Sequence, residues 1–300
     1  MKAIVTGASG LLGRPTLKQF QDAGWDAVGV AFSRANNGLI KLDLTDTAAV
    51  KSFLDEQKPD VIVHCAAERR PDVADKDRDA AKRLNVQTPE LLGKLCKERN
   101  IMLIYISTDY VFDGKNPPYE VDDKPHPLQF YGETKLAGEE AIRAVYPEAV
   151  ILRVPILYGV TEFNGESAIN ILIDVVMNRD KKGTVDNVGK RYPTNVKDVA
   201  RVLKDLAVER LEKKRDDVQG IFHFTGEEAW TKWEVCELIA AVKKVSIDHL
   251  TPQNTVDKSA SVSRPEDSHL SNKRLKEFGI DTSSVDVKEW FSQYLTAANE

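Results

Sequence analysis

The chain has 300 residues, which at roughly 100–200 residues per domain is about two domains' worth and enough to bury a large core. Hydrophobic residues at 42% and charged residues at 30% exclude general disorder, which requires low hydrophobicity with high net charge. Forty-two Lys and Arg against 47 Asp and Glu give a net charge of −5, so no overall field draws the chain to nucleic acid or an anionic membrane, and a small molecule or another protein is the expected partner.

The three cysteines, Cys65, Cys96 and Cys236, are far apart and lack C-x-x-C spacing, which suggests neither a disulfide framework nor a zinc site. None of His64, His126, His223, His249 and His269 has metal-ligand spacing. The apolar run that starts at Ala3 leaves no room for a targeting peptide, and no stretch approaches the ~18 apolar residues of a membrane span. A cytoplasmic protein is expected.

In chain order, the first half alternates β-rich runs with amphipathic ones. Expected strands are Ala3 to Thr6, Ala27 to Phe32, Leu39 to Asp43, Val61 to Cys65, Met102 to Ser107 and Val150 to Val154. Between them the apolar spacing predicts helices over Leu12 to Gln21, Ala48 to Gln57, Ala80 to Cys96 and Tyr131 to Ala144. Runs such as Val61-Ile62-Val63 are apolar throughout, as strands covered on both faces should be. The pattern predicts an α/β fold with a doubly wound parallel sheet. Later elements are helices at Ser167 to Met177, Val196 to Leu211, Thr231 to Val242 and Val285 to Tyr294, with a strand at Ile221 to Thr225. The expected division is a dinucleotide-binding domain of residues 1–157 and 194–226, and a smaller discontinuous α/β substrate domain of residues 158–193 and 227–300.

Where the first strand should turn into the first helix the sequence reads Thr6-Gly7-Ala8-Ser9-Gly10-Leu11-Leu12-Gly13. Gly7, Gly10 and Gly13 suit a tight turn, a close approach to a pyrophosphate and a helix packed on the sheet. At the end of the second strand, where an NAD site usually has an acid, the chain has Ser33-Arg34. A guanidinium there suits a 2′-phosphate, so NADP(H) is the expected cofactor, with Arg14 as a second cation. Asp43 and Leu44 should meet the adenine, and Ala66 and Ala67 should let the cofactor pass.

Tyr131 and Lys135 lie four residues apart on one helix face, so phenol and ammonium can share a cleft. The lysine and an oxidised nicotinamide should lower the phenol toward acid/base range, and Tyr131 should protonate a carbonyl oxygen as hydride arrives. Ser107 and Thr108, at a carboxyl-edge strand end, should hold that oxygen. There is no G-x-S-x-G elbow and no P-loop, which removes the corresponding hydrolases and ATPases.

These motifs, with Ser107-Thr108-Asp109-Tyr110-Val111-Phe112, Tyr192-Pro193-Thr194 and Arg264-Pro265, resemble the extended short-chain dehydrogenase/reductases, and within them the dTDP-4-dehydrorhamnose reductase branch. The resemblance implies a Rossmann fold, a catalytic set of Thr108, Tyr131 and Lys135 beside Ser107, and reduction of an NDP-4-keto-6-deoxy sugar in UDP- or dTDP-rhamnose formation. Ser9, Leu11, Leu12, Cys65, Asn85 and Pro155 complete the expected cofactor contacts. Glu68, Arg69, Asp109, Tyr110, Arg191 and Arg264 are expected toward the substrate. Relatives that also epimerise C3 and C5 have a Cys where this chain has Tyr110; Cys65, Glu68, Asp72 and Tyr110 stay open as replacements. A homodimer is left open.

A second resemblance, carried by His64 to Val73 and Pro155 to Gly159, is to the NADP-binding regulatory β subunits of methionine adenosyltransferase. It implies the catalytic subunit of that enzyme as partner. Those animal subunits carry extra residues before the first strand and a docking tail. A chain whose first strand begins at residue 3 and which ends at Glu300 is expected to be the enzyme instead.

Overall fold

A computed structural model describes residues 1–256 and 263–297. Its centre is a seven-stranded sheet made of β1 (Lys2–Thr6), β2 (Asp26–Ala31), β3 (Ile40–Lys41), β4 (Val61–His64), β5 (Met102–Thr108), β6 (Val150–Val154) and β10 (Gly220–His223). The order is β10-β6-β5-β4-β1-β2-β3, and all pairings are parallel. Alternation along the strands splits the core in two. Ala3, Val5, Val61, Val63, Met102 and Ile104 face one layer, and Ile4, Ile62, Leu103 and Tyr105 face the other. Strands buried on both faces cannot show polar alternation, which is why these runs are apolar throughout.

The first layer is covered by α1 (Gly13–Asp22) and α8 (Val196–Ala207), through Phe20, Val199, Val202 and Leu203. The second is covered by α2 (Thr47–Gln57), α5 (Thr88–Glu98) and α6 (Phe130–Val145), through Phe53, Leu92 and Ile142. Strand order reverses between β1 and β4. The crevice beyond their carboxyl ends is the position where ligands bind in open α/β sheets.

A third core lies beside the sheet. Tyr158, Ile169, Leu172, Val185, Trp230, Val235, Ile239, Val287 and Phe291 gather there. They come from β7 (Leu157–Tyr158), α7 (Ile171–Met177), β8 (Gly183–Asp186), α9 (Lys232–Lys243) and α11 (Val287–Ala297). β8 pairs in parallel with β11 (Leu250–Gln253), and β7 with β9 (Thr194–Asn195). Leu275 and Ile280, in and just after α10 (Lys273–Glu277), pack instead into the first sheet layer.

Several elements differ from the sequence expectation. The helix expected over Ala80 to Cys96 is α4 (Arg78–Lys82), a π-helical turn (Arg83–Gln87) and α5. The bulge fits its neighbour: a Cβ on Gly138 of α6 would lie 2.3 Å from the Asn85 carbonyl oxygen. The helix expected from Ser167 begins at Ile171, because the Ser167 hydroxyl donates to the Leu157 carbonyl and accepts from the Ile169 and Asn170 amides. A short helix, α3 (Pro71–Lys76), with proline in its first turn, had no expectation.

Candidate active site

A cleft of about 980 Å³ runs from the β1–α1 turn across the sheet switch point to the third core. Gly7 has φ +64°, and a Cβ on it would sit 2.8 Å from the Ala66 amide. A Cβ on Gly13 would sit 2.1 Å from the Gly7 carbonyl oxygen. The turn therefore closes only with glycine at these two places. Gly7, Ser9, Gly10, Leu11, Leu12 and Gly13 line one end of the cleft, with Ser33, Arg34, Asp43 and Leu44 beside them and Cys65, Ala66, Ala67 and Pro155 along its length. Asp43 is held below the usual carboxylate range by the hydroxyl and amide of Thr45. The narrow, glycine-floored end opening onto a helix start fits a dinucleotide pyrophosphate.

Two expected cofactor contacts are elsewhere. Arg14 is not among the residues that line the cleft, although its partner Glu166 is. Its guanidinium donates to Glu166 through Nη1 (3.0 Å) and Nη2 (2.6 Å), and to the Ser9 carbonyl (2.8 Å). Asn85 is buried, with its amide oxygen accepting from the Glu68 amide and its Nδ2 donating to the Glu68 carbonyl and to Thr134. It fixes the loop after β4 and does not line the cleft.

At the middle of the cleft Thr108, Asp109, Tyr110, Tyr131 and Lys135 converge. Gln129 caps α6 through the Gly132 amide, which aims the first turn, and so Tyr131, at the end of β5. Burial raises the Tyr131 phenol well above its ordinary value, opposed by the Thr108 hydroxyl and reinforced by Asp109. The expected lowering is thus reversed by the protein's own groups. Lys135 itself is pushed down by burial to about 7, so its ammonium is a weaker positive neighbour than a free lysine. Its Nζ lies 3.9 Å from the centroid of the Tyr105 ring, which is buried below it. Asp109 rises to about 6 through burial, although Ser268 (2.5 Å) and Thr108 (3.1 Å) donate to its carboxylate.

Ser107 also lines the cleft, beside Thr108. Its hydroxyl donates to Glu139 at 2.5 Å. Glu139 is also clasped by Arg153 (2.7–3.3 Å), and Arg153 reaches His223 at 3.3 Å. This buried chain ties α6 to β5, β6 and β10. Thr108 lines the cleft too, with its hydroxyl beside the Tyr131 phenol.

On the substrate side Arg69, Asp109, Tyr110 and Arg264 line the cleft. Glu68 and Arg191 do not. Glu68 is held by Arg70, through the guanidinium and the backbone amide. Arg191 is buried, donating to the Lys190 and Pro265 carbonyls, and so it braces the Arg264-Pro265 segment. Of the open epimerisation candidates, Cys65, Tyr110 and Asp72 line the cleft, and burial pushes the Cys65 thiol up to about 12. Lys232 and Glu166 line it as well. Sequence reasoning passed over both, since neither has a motif around it and each reaches the cleft through the third core's packing.

Comparison with known proteins bears on this geometry. The family profile described as RmlD substrate binding domain matches residues 1–296. The chain belongs to this family. It is similar to "Methionine adenosyltransferase 2 subunit beta" of Danio rerio, 42% identical over 96% of this chain and 88% of that protein. It is also similar to the "dTDP-4-dehydrorhamnose reductase" of Aggregatibacter actinomycetemcomitans, 32% identical over 94% of this chain and 95% of that one. A dTDP-4-dehydrorhamnose reductase from Bacillus anthracis, solved in complex with NADP, shares the fold with a TM-score of 0.83 at 24% identity, covering 99% of both chains. Among the described residues of this RmlD-family chain no helix is long and apolar enough to cross a membrane.

Proposed function

We propose that this chain is an NADPH-dependent reductase of the 4-keto group of a nucleoside-diphosphate 4-keto-6-deoxy sugar, acting in UDP- or dTDP-rhamnose formation. The observation that carries this reading is the meeting of Thr108, Tyr131 and Lys135 in the same cleft as the glycine turn. NADPH, when bound, supplies the hydride. Tyr131 donates its phenolic proton to the carbonyl oxygen as that oxygen gains charge, and a phenol kept protonated by burial is the correct acid for this direction. Thr108 holds the same oxygen. Lys135 anchors the nicotinamide ribose and stabilises the phenolate left behind. The cofactor reading is supported by Arg34 at the end of β2 and by the NADP complex of the Bacillus anthracis relative. Purified protein mixed with NADPH and UDP- or dTDP-4-keto-6-deoxyglucose should consume NADPH, with and without a separate 3,5-epimerase as the two arms. Turnover without the epimerase adds epimerisation to the activity; no consumption in either arm removes the enzyme reading.

A second reading, a regulatory subunit that binds NADP and docks on a methionine adenosyltransferase catalytic subunit, is favoured by one observation: identity is 42% to the Danio rerio subunit and 32% to the bacterial reductase. Co-purification with methionine adenosyltransferase from the native source tests it. The limits of the two domains, at residues 157/158, 193/194 and 226/227, are likewise proposed, with the third core as their support.

A further inference from the structure

Arg34 stands at the end of β2, where a 2′-phosphate or a 2′-hydroxyl of a dinucleotide would arrive. It is not alone there. Its Nη1 donates to Glu162 at 2.8 Å and to Glu166 at 2.7 Å. Glu166 is also chelated by Arg14 and accepts from the Glu162 backbone amide at 2.9 Å. Two guanidinium groups therefore face two carboxylates, and the cluster is neutral. The carboxylates differ in how firmly they are held. The Glu166 side chain is 2% exposed, and three groups fix it; the Glu162 side chain is 53% exposed, and Arg34 is its shortest partner.

An acid at this end of the cleft is the usual device for binding the 2′-hydroxyl of NAD, and a cation the usual device for the 2′-phosphate of NADP. The first 40 residues supply only the cation. The loop after β7 brings the acid from 128 residues further along the chain. We propose that Glu162 is a specificity-determining residue for the cofactor: it competes with a 2′-phosphate for Arg34 and accepts from a 2′-hydroxyl, so that the site takes NAD(H) as well as NADP(H). The proposal rests on the dinucleotide reading of the cleft. A phosphate monoester carries about −1.5 to −2 charges near neutral pH and meets a guanidinium whose charge Glu162 already shares, whereas a ribose hydroxyl needs no free cation.

The test is calorimetric titration of the parent, Glu162→Gln, Arg34→Ala and the double variant with NADPH and with NADH. Glu162→Gln keeps the shape of an exposed side chain and leaves Glu166 on Arg14. It should tighten NADPH by about fivefold, the scale of one exposed ion pair, without tightening NADH. In the Arg34→Ala background the gain should disappear. An unchanged or weakened NADPH affinity, a parallel gain for NADH, or a gain that survives loss of Arg34 overturns the proposal. Failure of the parent to bind either nucleotide overturns the cofactor reading itself, and this proposal with it.

Discussion

At the scale of single residues, the electrostatics of the cleft are set by burial more than by neighbouring charge. Tyr131 and Lys135 both move toward their neutral forms, because desolvation penalises phenolate and ammonium alike. Tyr131→Phe should lower turnover by about 10²–10⁴-fold, the range for losing a general acid, while NADPH titration gives an unchanged affinity. Lys135 also carries a stability signature. Between its folded value of about 7 and the ordinary 10.5, the unfolded chain binds a proton that the folded chain does not, so stability should rise with pH through that window. Below it both states are protonated, and the desolvation cost is carried in full. Urea unfolding of the parent and of Lys135→Met across this range should give a rise in the parent that the variant lacks. The residue types at this site were legible because chemistry demands them at fixed offsets. The partners of Ser107, Asn85 and Arg14 were not, since a hydroxyl, an amide or a guanidinium serves a ligand and a buried carboxylate or carbonyl equally well.

At the scale of elements, the glycine turn and α6 were readable and the π-helical turn at Arg83–Gln87 was not. An apolar period of about 3.6 runs through Ala80 to Cys96 without a break, and one extra residue in a turn hardly disturbs it. The bulge becomes visible only against Gly138, which admits the Asn85 carbonyl where a methyl group would collide with it. Gly138→Ala should therefore destabilise the protein by about 1–3 kcal/mol, the usual penalty of overpacking, and should weaken NADPH binding because α6 carries Lys135. Equal unfolding midpoints and equal nucleotide affinities in parent and variant would contradict this account. Helix starts shifted for a related reason. Ser167 bonds to its neighbours' amides and to Leu157, and that local satisfaction delays α7 by four residues relative to the apolar pattern.

At the scale of the whole molecule, the cleft lies between the carboxyl edge of the sheet and the third core, so a ligand that fills it would contact both. Binding that favours the folded state should add about 2.7 kcal/mol to unfolding at NADPH a hundredfold above its dissociation constant. Denaturant melts with and without NADPH measure it, and no stabilisation would count against the dinucleotide site. By itself the sequence determined the parallel sheet, the glycine turn and the Thr108, Tyr131 and Lys135 set, because each is written in residues that are close along the chain and obey a short period or spacing. Only the tertiary structure decided that Glu162 and Glu166 answer Arg34 and Arg14, that Ser107 and Arg153 both serve Glu139, and that Leu275 and Ile280 return to the first core. Those pairings join residues from 14 to 152 positions apart. Which carboxylate meets which guanidinium over such distances is fixed by how the layers pack, and no local pattern encodes it.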